Sequence, residues 1–379
     1  MKILIVGGGI SGLALAAFLK DSTVEYDIVE RCPDWSHQGY LIALWDNGRD
    51  ILNKLRLAEK LDAAGTRVRS NSLRDGSGRE IRTVGLSSFY SEFGGAVTII
   101  GRKDVHSWVL EKVDPSKIAM KRTVTRIDKD GPRSSVLFDD GSTVTYDVVV
   151  GADGVHSKVR SLVFGNDIES FTNWRAWYIW IDNAFDVPAS IVEYVEPGEN
   201  ITVFAAEGKT LATMFAPADH HAWDTQEGRI DRLKVLFKDE THIVPAALEK
   251  LKDDDAMPTD LADVQLGHTV KGNVALVGDA AHCFGPMAGL GTSMALEDSY
   301  TLAAELLKVS GPFTLEDALS AYEIRRKKRR NIARRLNHRI RSGALIKSRL
   351  WTRMIMKIAA LIPDSIFTSD YRKLLREEI

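Results

Sequence analysis

Three glycines near the start of the chain have the spacing of a phosphate-binding loop. The sequence Gly7-x-Gly9-x-x-Gly12 separates a short apolar run from a stretch rich in Ala and Leu. The first glycine permits a tight turn, the second lets the backbone approach a pyrophosphate, and the third allows close contact between helix and strand. Glu30 follows where a carboxylate would accept the hydroxyls of a ribose. These residues predict that the chain binds a dinucleotide, and they leave open which one.

The segments around this loop must form a βαβ unit to position it. Lys2–Val6 is apolar and predicts a buried parallel strand, Ser11–Lys20 predicts a helix, and Tyr26–Glu30 predicts a second strand. In such a unit the N-terminus of the helix offers free N–H groups and a partial positive charge to phosphates. The opening of the chain therefore predicts an α/β fold with a Rossmann-like nucleotide-binding domain.

Two later segments resemble motifs of a known family. Asp147–Arg160, with Asp153-Gly154 near its centre, resembles the DG motif of the single-component aromatic hydroxylases. Asn273–Asp298, with Gly278-Asp279 near its start, resembles their GD motif. Together with the glycine loop, these motifs follow the family's order and spacing. The chain is similar to the group A FAD-dependent monooxygenases, which have the para-hydroxybenzoate hydroxylase fold and include tetracycline-inactivating relatives.

The resemblance implies an activity and its cofactors. In such enzymes NADPH or NADH reduces FAD, O₂ adds to the reduced ring, and a flavin hydroperoxide transfers one oxygen atom to an aromatic or polycyclic small molecule. The cofactor carries the chemistry while the protein binds, orients and excludes water, so no catalytic side chain is assigned. Two alternatives stay open: a flavin-dependent reductase or dehydrogenase of the same fold, similar to geranylgeranyl reductases, and a non-catalytic flavin-binding protein.

The resemblance also implies which residues contact FAD. Asp279 follows a buried strand and would hold the ribityl hydroxyls, although a helix-capping role fits it too. The helix after Gly291 would point its positive end at the flavin ring. Arg102 would meet the phosphates or, alternatively, lie in solvent. The full set implied for FAD is Gly7, Gly9, Ser11, Gly12, Glu30, Arg31, Arg102, Val124, Asp153, Arg160, Asp279, Pro286, Gly289, Leu290, Gly291 and Thr292.

Departures from the family pattern concern the substrate more than the flavin. The usual Pro-x-x-Gly-Gln-Gly is replaced by Pro286-Met-Ala-Gly-Leu-Gly291, which lacks a polar side chain beside the flavin. Many relatives have Ala-Trp-Arg-Gly where this chain has Ala176-Trp-Tyr-Ile179. We expect FAD binding to tolerate these changes, but they leave the substrate unassigned.

A second region, from Phe171 to Pro217, has the alternating pattern of an antiparallel sheet. Its aromatic side chains are candidates for a surface that binds an aromatic substrate, although each of them also fits a sheet core. They alternate with the period of a strand. The candidates are Trp177, Tyr178, Trp180, Phe204 and Phe215, with Met214 beside them.

This sheet is inserted into the first domain, which is therefore discontinuous. Asp46–Leu61 is predicted to form an amphipathic helix of that first domain. The predicted boundaries are 1–70, 100–165 and 268–320 for the FAD-binding domain, 71–99 and 166–267 for the substrate domain, and 321–379 for a basic C-terminal helical segment.

Composition argues against several other classes of protein. The two cysteines, Cys32 and Cys283, lack a metal-binding spacing, so neither a disulfide framework nor a zinc site is expected. The adjacent His220 and His221 are interpreted as loop residues, and no metal is expected. No apolar run reaches the roughly 18–20 residues that span a bilayer. The expected location is the cytoplasm.

Residues 325–358 concentrate positive charge, although the whole chain has a net charge of −2. Arg325–Arg330 is an unbroken basic run, and no acidic residue occurs between Glu323 and Asp364. We expect a C-terminal helix packed on the FAD domain with a solvated basic face. One alternative is weak peripheral attachment to the anionic inner membrane surface. Another, by resemblance to tetracycline-inactivating enzymes, is a helix that covers the substrate entrance. Nucleic acid is not expected, since no recognition motif accompanies the charge, and the oligomeric state stays open.

Overall fold

The computed structural model describes residues 1–36, 39–166, 168–181, 189–206, 209–219, 224–344 and 346–379. The strands are β1 (Lys2–Val6), β2 (Glu25–Glu30), β3 (Leu41–Trp45), β4 (Thr66–Arg67), β5 (Ser70–Asp75), β6 (Glu80–Gly85), β7 (Val97–Gly101), β8 (Ile118–Met120), β9 (Val124–Asp130), β10 (Arg133–Phe138), β11 (Thr143–Tyr146), β12 (Val148–Gly151), β13 (Glu169–Ile181), β14 (Ser190–Glu196), β15 (Glu199–Ala206), β16 (Lys209–Pro217), β17 (Ala256–Val264), β18 (Val270–Lys271) and β19 (Val274–Leu276). The helices are α1 (Ile10–Leu19), α2 (Asp46–Lys54), α3 (Ala58–Ala64), α4 (Ser87–Phe93), α5 (Arg102–Leu110), α6 (Lys158–Phe164), α7 (Arg229–Leu236), α8 (Val244–Leu248), α9 (Asp279–His282), α10 (Gly291–Leu306), α11 (Leu315–Ala344), α12 (Arg349–Leu361), α13 (Asp364–Phe367) and α14 (Ser369–Arg376).

The first large sheet carries the three motifs found in the sequence. Its strand order is β18-β19-β12-β1-β2-β8, and β1 pairs in parallel with both β2 and β12. Apolar side chains of β1 are buried in one cluster with those of α1 and α10. Parallel strands end at the same edge of a sheet, so the loops after β1, β12 and β19 lie side by side. These loops contain Gly7, Asp153 and Asp279, and the α/β fold with a Rossmann-like domain is confirmed.

The second large sheet has the order β17-β13-β16-β15-β14-β5-β6, and its strands are antiparallel except for the β14–β5 pair. Leu233 of α7 and Leu248 of α8 belong to the apolar cluster that covers one face. The other face borders a cavity. Residues 70–85 thus join residues 169–264 in one sheet, while the exact domain boundaries stay a prediction.

One predicted helix, Asp46–Leu61, is wrong in its extent because the chain breaks it into α2 and α3. Arg56 adopts a left-handed conformation with φ of 58°. Its backbone N–H donates a hydrogen bond to the carbonyl of Asn53 (2.8 Å). The N–H of Leu57 donates to the carbonyl of Leu52 (2.9 Å). This pair of hydrogen bonds is the Schellman arrangement that ends a helix. The left-handed position of this motif is normally a glycine. Because Arg56 occupies it here, the sequence did not indicate that the helix ends at this point.

Two negative findings apply to the described part of the chain. None of its helices has the length and apolar character that a membrane crossing would require. It also contains no group of three or more His, Cys, Asp or Glu side chains arranged to hold a metal ion. His220 and His221 lie outside the described residues.

Three arginines of the basic run Arg325–Arg330, on α11, are buried. Arg326, Arg329 and Arg330 are 0%, 1% and 8% exposed. The expectation of a solvated basic face is therefore wrong for these three side chains. Burying unpaired guanidinium groups would cost many kcal/mol, so each must meet an acceptor inside the protein.

Two neighbouring carboxylates on α10 bind the guanidinium groups of Arg326 and Arg329, while that of Arg330 donates to Thr269 Oγ1. Glu297 contacts both Arg326 and Arg329, and Arg329 Nε donates to Glu297 Oε2 at 2.8 Å. Arg326 Nε also donates to Asp298 Oδ1 at 2.6 Å. Both carboxylates are fully buried. We call Glu297, Asp298, Arg326 and Arg329 the buried ion network, and it holds α11 to α10.

The buried ion network extends to the loop after β19. Asp298 Oδ2 accepts a 2.9 Å hydrogen bond from Gly278 N and lies 2.5 Å from His282 Nε2. Glu297 Oε1 accepts a 2.6 Å hydrogen bond from Asn47 Nδ2 on α2. The network therefore holds the backbone of Gly278 before α9 and the side chain of His282 at its end, and it ties α2 to α10.

The charges in the network decide the protonation of its carboxyl groups. Burial acts to raise the pKa of Glu297, but Arg326 and Arg329 outweigh it and hold that pKa below its ordinary value. Burial also acts to raise the pKa of Asp298. His282 and Arg326 outweigh this effect and hold that pKa well below its usual range. Groups with lowered pKa values stabilise the fold at neutral pH, and this contribution is lost as the pH falls through the lowered values.

Removing one guanidinium from this network should destabilise the protein strongly. We expect Arg326→Leu to lower the free energy of unfolding by about 3–5 kcal/mol, because it leaves buried carboxylates uncompensated. Arg335→Leu, an exposed position of the same helix, should change it by less than about 0.5 kcal/mol. Urea denaturation at a fixed FAD concentration measures both. Equal effects of the two substitutions would contradict a role for the network.

Candidate active site

A cavity of about 770 Å³ lies between the motif loops of the first sheet and the open face of the second. Its volume falls within the range of about 300–1,000 Å³ that is usual for cofactor and small-molecule sites. The walls are mostly apolar, and a few polar groups lie among them. Such a site suits a ligand with flat apolar rings and a small number of polar contacts.

The glycine loop forms one end of the cavity. A side chain on Gly12 would lie 2.0 Å from the Gly7 carbonyl oxygen, and one on Gly7 would lie 2.4 Å from that of Ala152. Gly7 also has a φ of +110°. Around Gly9, no described atom lies within 4 Å of where a Cβ would stand. Two glycines thus allow the chain to pack, while the third leaves room for a ligand beside Ser11, which lines the cavity.

Glu30 supports this loop from behind. Its Oε2 accepts a 2.8 Å hydrogen bond from Gly8 N, and its Oε1 accepts one of the same length from Cys32 N. The next residue, Arg31, is exposed. The carboxylate therefore fixes the glycine loop, while the contacts of Glu30 and Arg31 with a nucleotide stay predictions.

The residues of the DG motif organise the neighbouring loop. Asp153 Oδ2 accepts a 2.7 Å hydrogen bond from Lys158 N at the start of α6. Arg160 is 2% exposed and donates to the carbonyl of Ala280 (3.0 Å) and to Glu169 Oε2 (2.8 Å). These side chains join the loops after β12 and β19, and the residues directly after Asp153 line the cavity.

Asp279 projects into the cavity from the other side. It is exposed, although its neighbours Gly278 and Ala280 are buried. Its carboxylate lines the cavity and makes no hydrogen bond within the described chain. As the first residue of α9 it does not cap that helix. Both carboxylate oxygens are therefore free to accept hydrogen bonds from a ligand.

The loop before α10 brings backbone and a helix end to the cavity. Pro286, Gly289, Gly291 and Thr292 all line it, and α10 begins at Gly291. Gly289 has a φ of +63°, which a side chain would strain. Leu290 is 1% exposed and packs in the core beneath the loop. The N–H groups and positive end of a sixteen-residue helix thus face the site.

Arg102 and two tyrosines form a further part of the cavity wall. Arg102, the first residue of α5, lines the cavity with its guanidinium 5.5 Å from the Tyr40 ring. Tyr40 in turn stacks on Tyr178, with ring centroids 5.3 Å apart. Val124 is fully buried in the core behind the first sheet. Its contact with FAD stays a prediction.

The aromatic candidates of the second sheet divide between its two faces. Tyr178, Phe204 and Phe215 line the cavity. Trp177 points to the opposite face, where its Nε1 donates to Asp224 Oδ2 at 3.1 Å. Trp177 therefore belongs to the core behind the sheet, which is the alternative that the sequence left open.

Two further candidates also lie outside the cavity wall. Met214 is 1% exposed in the core behind the sheet. Trp180 lies at the rim, where its Nε1 donates to the carbonyl of Gly39 at 2.9 Å. Trp180 lies on the same face of β13 as Tyr178, but its hydrogen bond to Gly39 attaches the segment that precedes β3.

A row of polar side chains crosses the otherwise apolar cavity floor. Strand pairing places Tyr178 opposite Thr213, Thr213 opposite Thr202, and Thr202 opposite Glu193. Glu193 Oε1 accepts a 2.9 Å hydrogen bond from Asn71 Nδ2. Burial raises the pKa of Glu193, and the bond from Asn71 offsets this only in part. This polar row is the main source of directional contacts on the floor.

The C-terminal segment forms the cover of the cavity. Ile355, Met356 and Ala359 on the inner side of α12 line it. Further along, Tyr371 of α14 stacks on Trp45 with ring centroids 4.1 Å apart. Of the roles considered for this segment, covering the cavity matches these contacts.

Tyr40, Glu193 and Tyr371 line the cavity but were not among the residues predicted from the sequence. A glutamate in the middle of the apolar strand Ile191–Val195 is a signal that could have identified Glu193, because such a residue needs a reason to be buried. Tyr40 and Tyr371 carry no comparable signal. Their positions depend on how loops far apart in the chain meet.

Comparison with known proteins identifies the family. A family model described as "FAD binding domain" matches residues 1–337. The FAD-dependent urate hydroxylase of Mycolicibacterium vanbaalenii is 28% identical over 338 residues, which cover 87% of this chain and 85% of that protein.

Two solved structures share the fold. Klebsiella pneumoniae HpxO, in complex with FAD and uric acid, superposes with a TM-score of 0.89 at 22% identity, covering 99% of this chain and 96% of that one. The tetracycline destructase Tet(51) gives a TM-score of 0.77 at 21% identity, covering 100% and 98%. The chain belongs to the FAD binding domain family and is a group A FAD-dependent monooxygenase.

Proposed function

We propose that this monooxygenase hydroxylates a polycyclic or otherwise extended aromatic compound that carries an N–H or O–H donor. The length of the cavity floor is the observation that carries this proposal. Its lining extends from Tyr178 on β13 to Val84 on β6, across six neighbouring strands. At the usual spacing of about 4.8 Å between strands, this distance is roughly 24 Å. A single aromatic ring would fill only a small part of it.

The ligands named for two similar proteins differ in size. The HpxO structure contains uric acid, a small bicyclic compound, whereas Tet(51) is named for tetracycline, which is polycyclic. The apolar floor and the apolar inner side of α12 favour the larger kind of substrate for this chain. The favourable free energy of binding increases with the apolar area that the ligand buries, so a ligand that covers the floor binds more tightly.

The cavity fits FAD at the end near the motif loops. The open space at Gly9 suits the pyrophosphate, and the free carboxylate of Asp279 suits ribityl hydroxyls. The N-terminus of α10 favours negative charge on the ring nearby. When bound, FAD accepts electrons from NAD(P)H and activates O₂ for transfer of one oxygen atom. The protein's share is to position the ring and to exclude water.

The polar row orients the substrate on the floor. Burial raises the pKa of Tyr178, so its phenol stays protonated and can donate a hydrogen bond. Glu193, at the far end of the row, accepts hydrogen bonds. A substrate that offers an acceptor near Tyr178 and a donor near Glu193 would lie in one orientation, with one ring edge toward the flavin end. The C-terminal cover keeps water away from that edge.

Labelled oxygen provides the test of this function. The purified yellow protein is given NADH or NADPH, ¹⁸O₂ and a panel of phenols, bicyclic heteroaromatics and polycyclic polyketides. We expect a polycyclic member to stimulate NAD(P)H oxidation and to gain one labelled oxygen atom per molecule. Stimulation confined to single-ring phenols would contradict the proposed substrate class. Turnover without labelled product would contradict oxygen transfer itself.

The role proposed for Asp279 predicts a loss of flavin affinity. Asp279→Ala removes a charged hydrogen-bond acceptor, which contributes about 1.5–3 kcal/mol, so the Kd for FAD should rise at least about tenfold. Fluorescence titration of the flavin-free protein with FAD measures this. Asp254→Ala, on the exposed surface, serves as the control. An unchanged Kd for Asp279→Ala would remove this residue from the site.

The role proposed for Glu193 predicts a selective loss of substrate affinity. Glu193→Leu should raise the KM for the oxygenated compound by about tenfold or more, while an analogue without the donor group should be unaffected. Val195→Ala, on the same strand and also facing the cavity, should weaken both compounds alike. Steady-state NAD(P)H oxidation gives the values. If Glu193→Leu weakened both compounds equally, the residue would only shape the cavity.

A further inference from the structure

The outer side of α12 exposes an apolar stripe that no described element covers. Leu350, Trp351, Met354 and Leu361 are 77%, 56%, 41% and 84% exposed, and Ile358 beside them is 49% exposed and also reaches the cavity. At 3.6 residues per turn, these positions fall within an arc of about 100° on one side of the helix. Contiguous exposed apolar surface of this kind marks an interaction site.

A row of basic side chains runs beside the stripe. Arg349, Arg353 and Lys357 follow one another at intervals of four residues, and α12 itself contains no acidic residue. Arg349 pairs with Asp239 at 2.9 Å. The apolar stripe and this basic row together form what we call the outer face of α12. Its combination of Trp, Leu and Ile with Lys and Arg is typical of helices that lie in a membrane interface.

The helix is held firmly in this orientation. Arg82 Nη1 donates to the carbonyl of Ala359 at 2.6 Å, and Thr352 is 5% exposed, with its Oγ1 donating to the carbonyl of Ile346 at 3.1 Å. The inner side of α12 lines the cavity. The outer face therefore cannot turn inward without uncovering the cavity.

We propose that the outer face of α12 docks the protein on an anionic lipid surface. The apolar stripe enters the headgroup region while Arg353 and Lys357 contact lipid phosphates, which gives both apolar burial and charge complementarity. Docking places the cover of the cavity directly on the bilayer. A lipophilic substrate that leaves the bilayer there has only α12 between it and the cavity, a consequence that rests on the proposed function, whereas docking itself does not.

Vesicle binding by the full FAD-loaded protein tests the proposal. We expect it to sediment with vesicles of equal parts phosphatidylcholine and phosphatidylglycerol at low salt. Binding should be at least about tenfold weaker to pure phosphatidylcholine, or in about 1 M salt, because screening reduces the attraction. If the protein stayed in the supernatant with anionic vesicles at low salt, the proposal would be overturned.

Matched variants distinguish specific docking through α12 from non-specific binding to vesicles. Leu350→Ser with Met354→Ser removes part of the stripe, and Arg353→Glu with Lys357→Glu reverses the charge beside it. Each pair should weaken vesicle binding at least about tenfold. The controls are Val235→Ser with Ile324→Ser, and Lys129→Glu with Lys117→Glu, at exposed positions elsewhere. Equal losses in controls and α12 variants would contradict a specific surface.

A second copy of the chain is the competing occupant of the stripe. Sedimentation velocity without lipid distinguishes it. We expect no dimer that depends on Leu350 and Met354. A dimer that Leu350→Ser with Met354→Ser dissociates would overturn lipid docking. Because all substituted side chains are exposed, retained flavin absorbance confirms that each variant is folded.

Discussion

The buried contact of Glu297 and Asp298 with Arg326 and Arg329 is the interaction on which the rest of the site depends. It joins α10, whose N-terminus faces the cavity, to α11, and through Gly278 it fixes the loop that presents Asp279. Buried ion pairs are not in themselves a source of stability, since desolvation offsets their attraction. Their value here is geometric, because they permit one relative placement of the loop and the helix.

The two ends of the cavity differ chemically because different sheets form them. The first sheet contributes loop backbone, helix ends and one free carboxylate at Asp279, a set suited to a cofactor with phosphates and hydroxyls. The second contributes a broad apolar floor with the polar row from Tyr178 to Glu193. The C-terminal helices close the space between them. In the proposed function, cofactor binding and substrate choice are therefore carried by different elements and can change independently.

Much of the FAD end of the site could be predicted from the sequence, because local patterns determine it. The glycine loop, the strands around it and Asp279 each follow from short motifs. The substrate end could not, since alternation along a strand separates Trp177 from Tyr178 without indicating which of them faces inward. The buried ion network was also missed. A basic run is normally solvated, and only the tertiary structure brings Arg326 to acids about thirty residues away.

Hydrogen exchange in flavin-free protein tests most directly whether the buried ion network builds the site before FAD binds. If it does, the amides of α10 from Met294 onward, which bond within the helix, exchange as slowly without FAD as with it, because the network and not the cofactor holds the helix. Fast exchange of these amides that becomes slow only on adding FAD would contradict a preformed site.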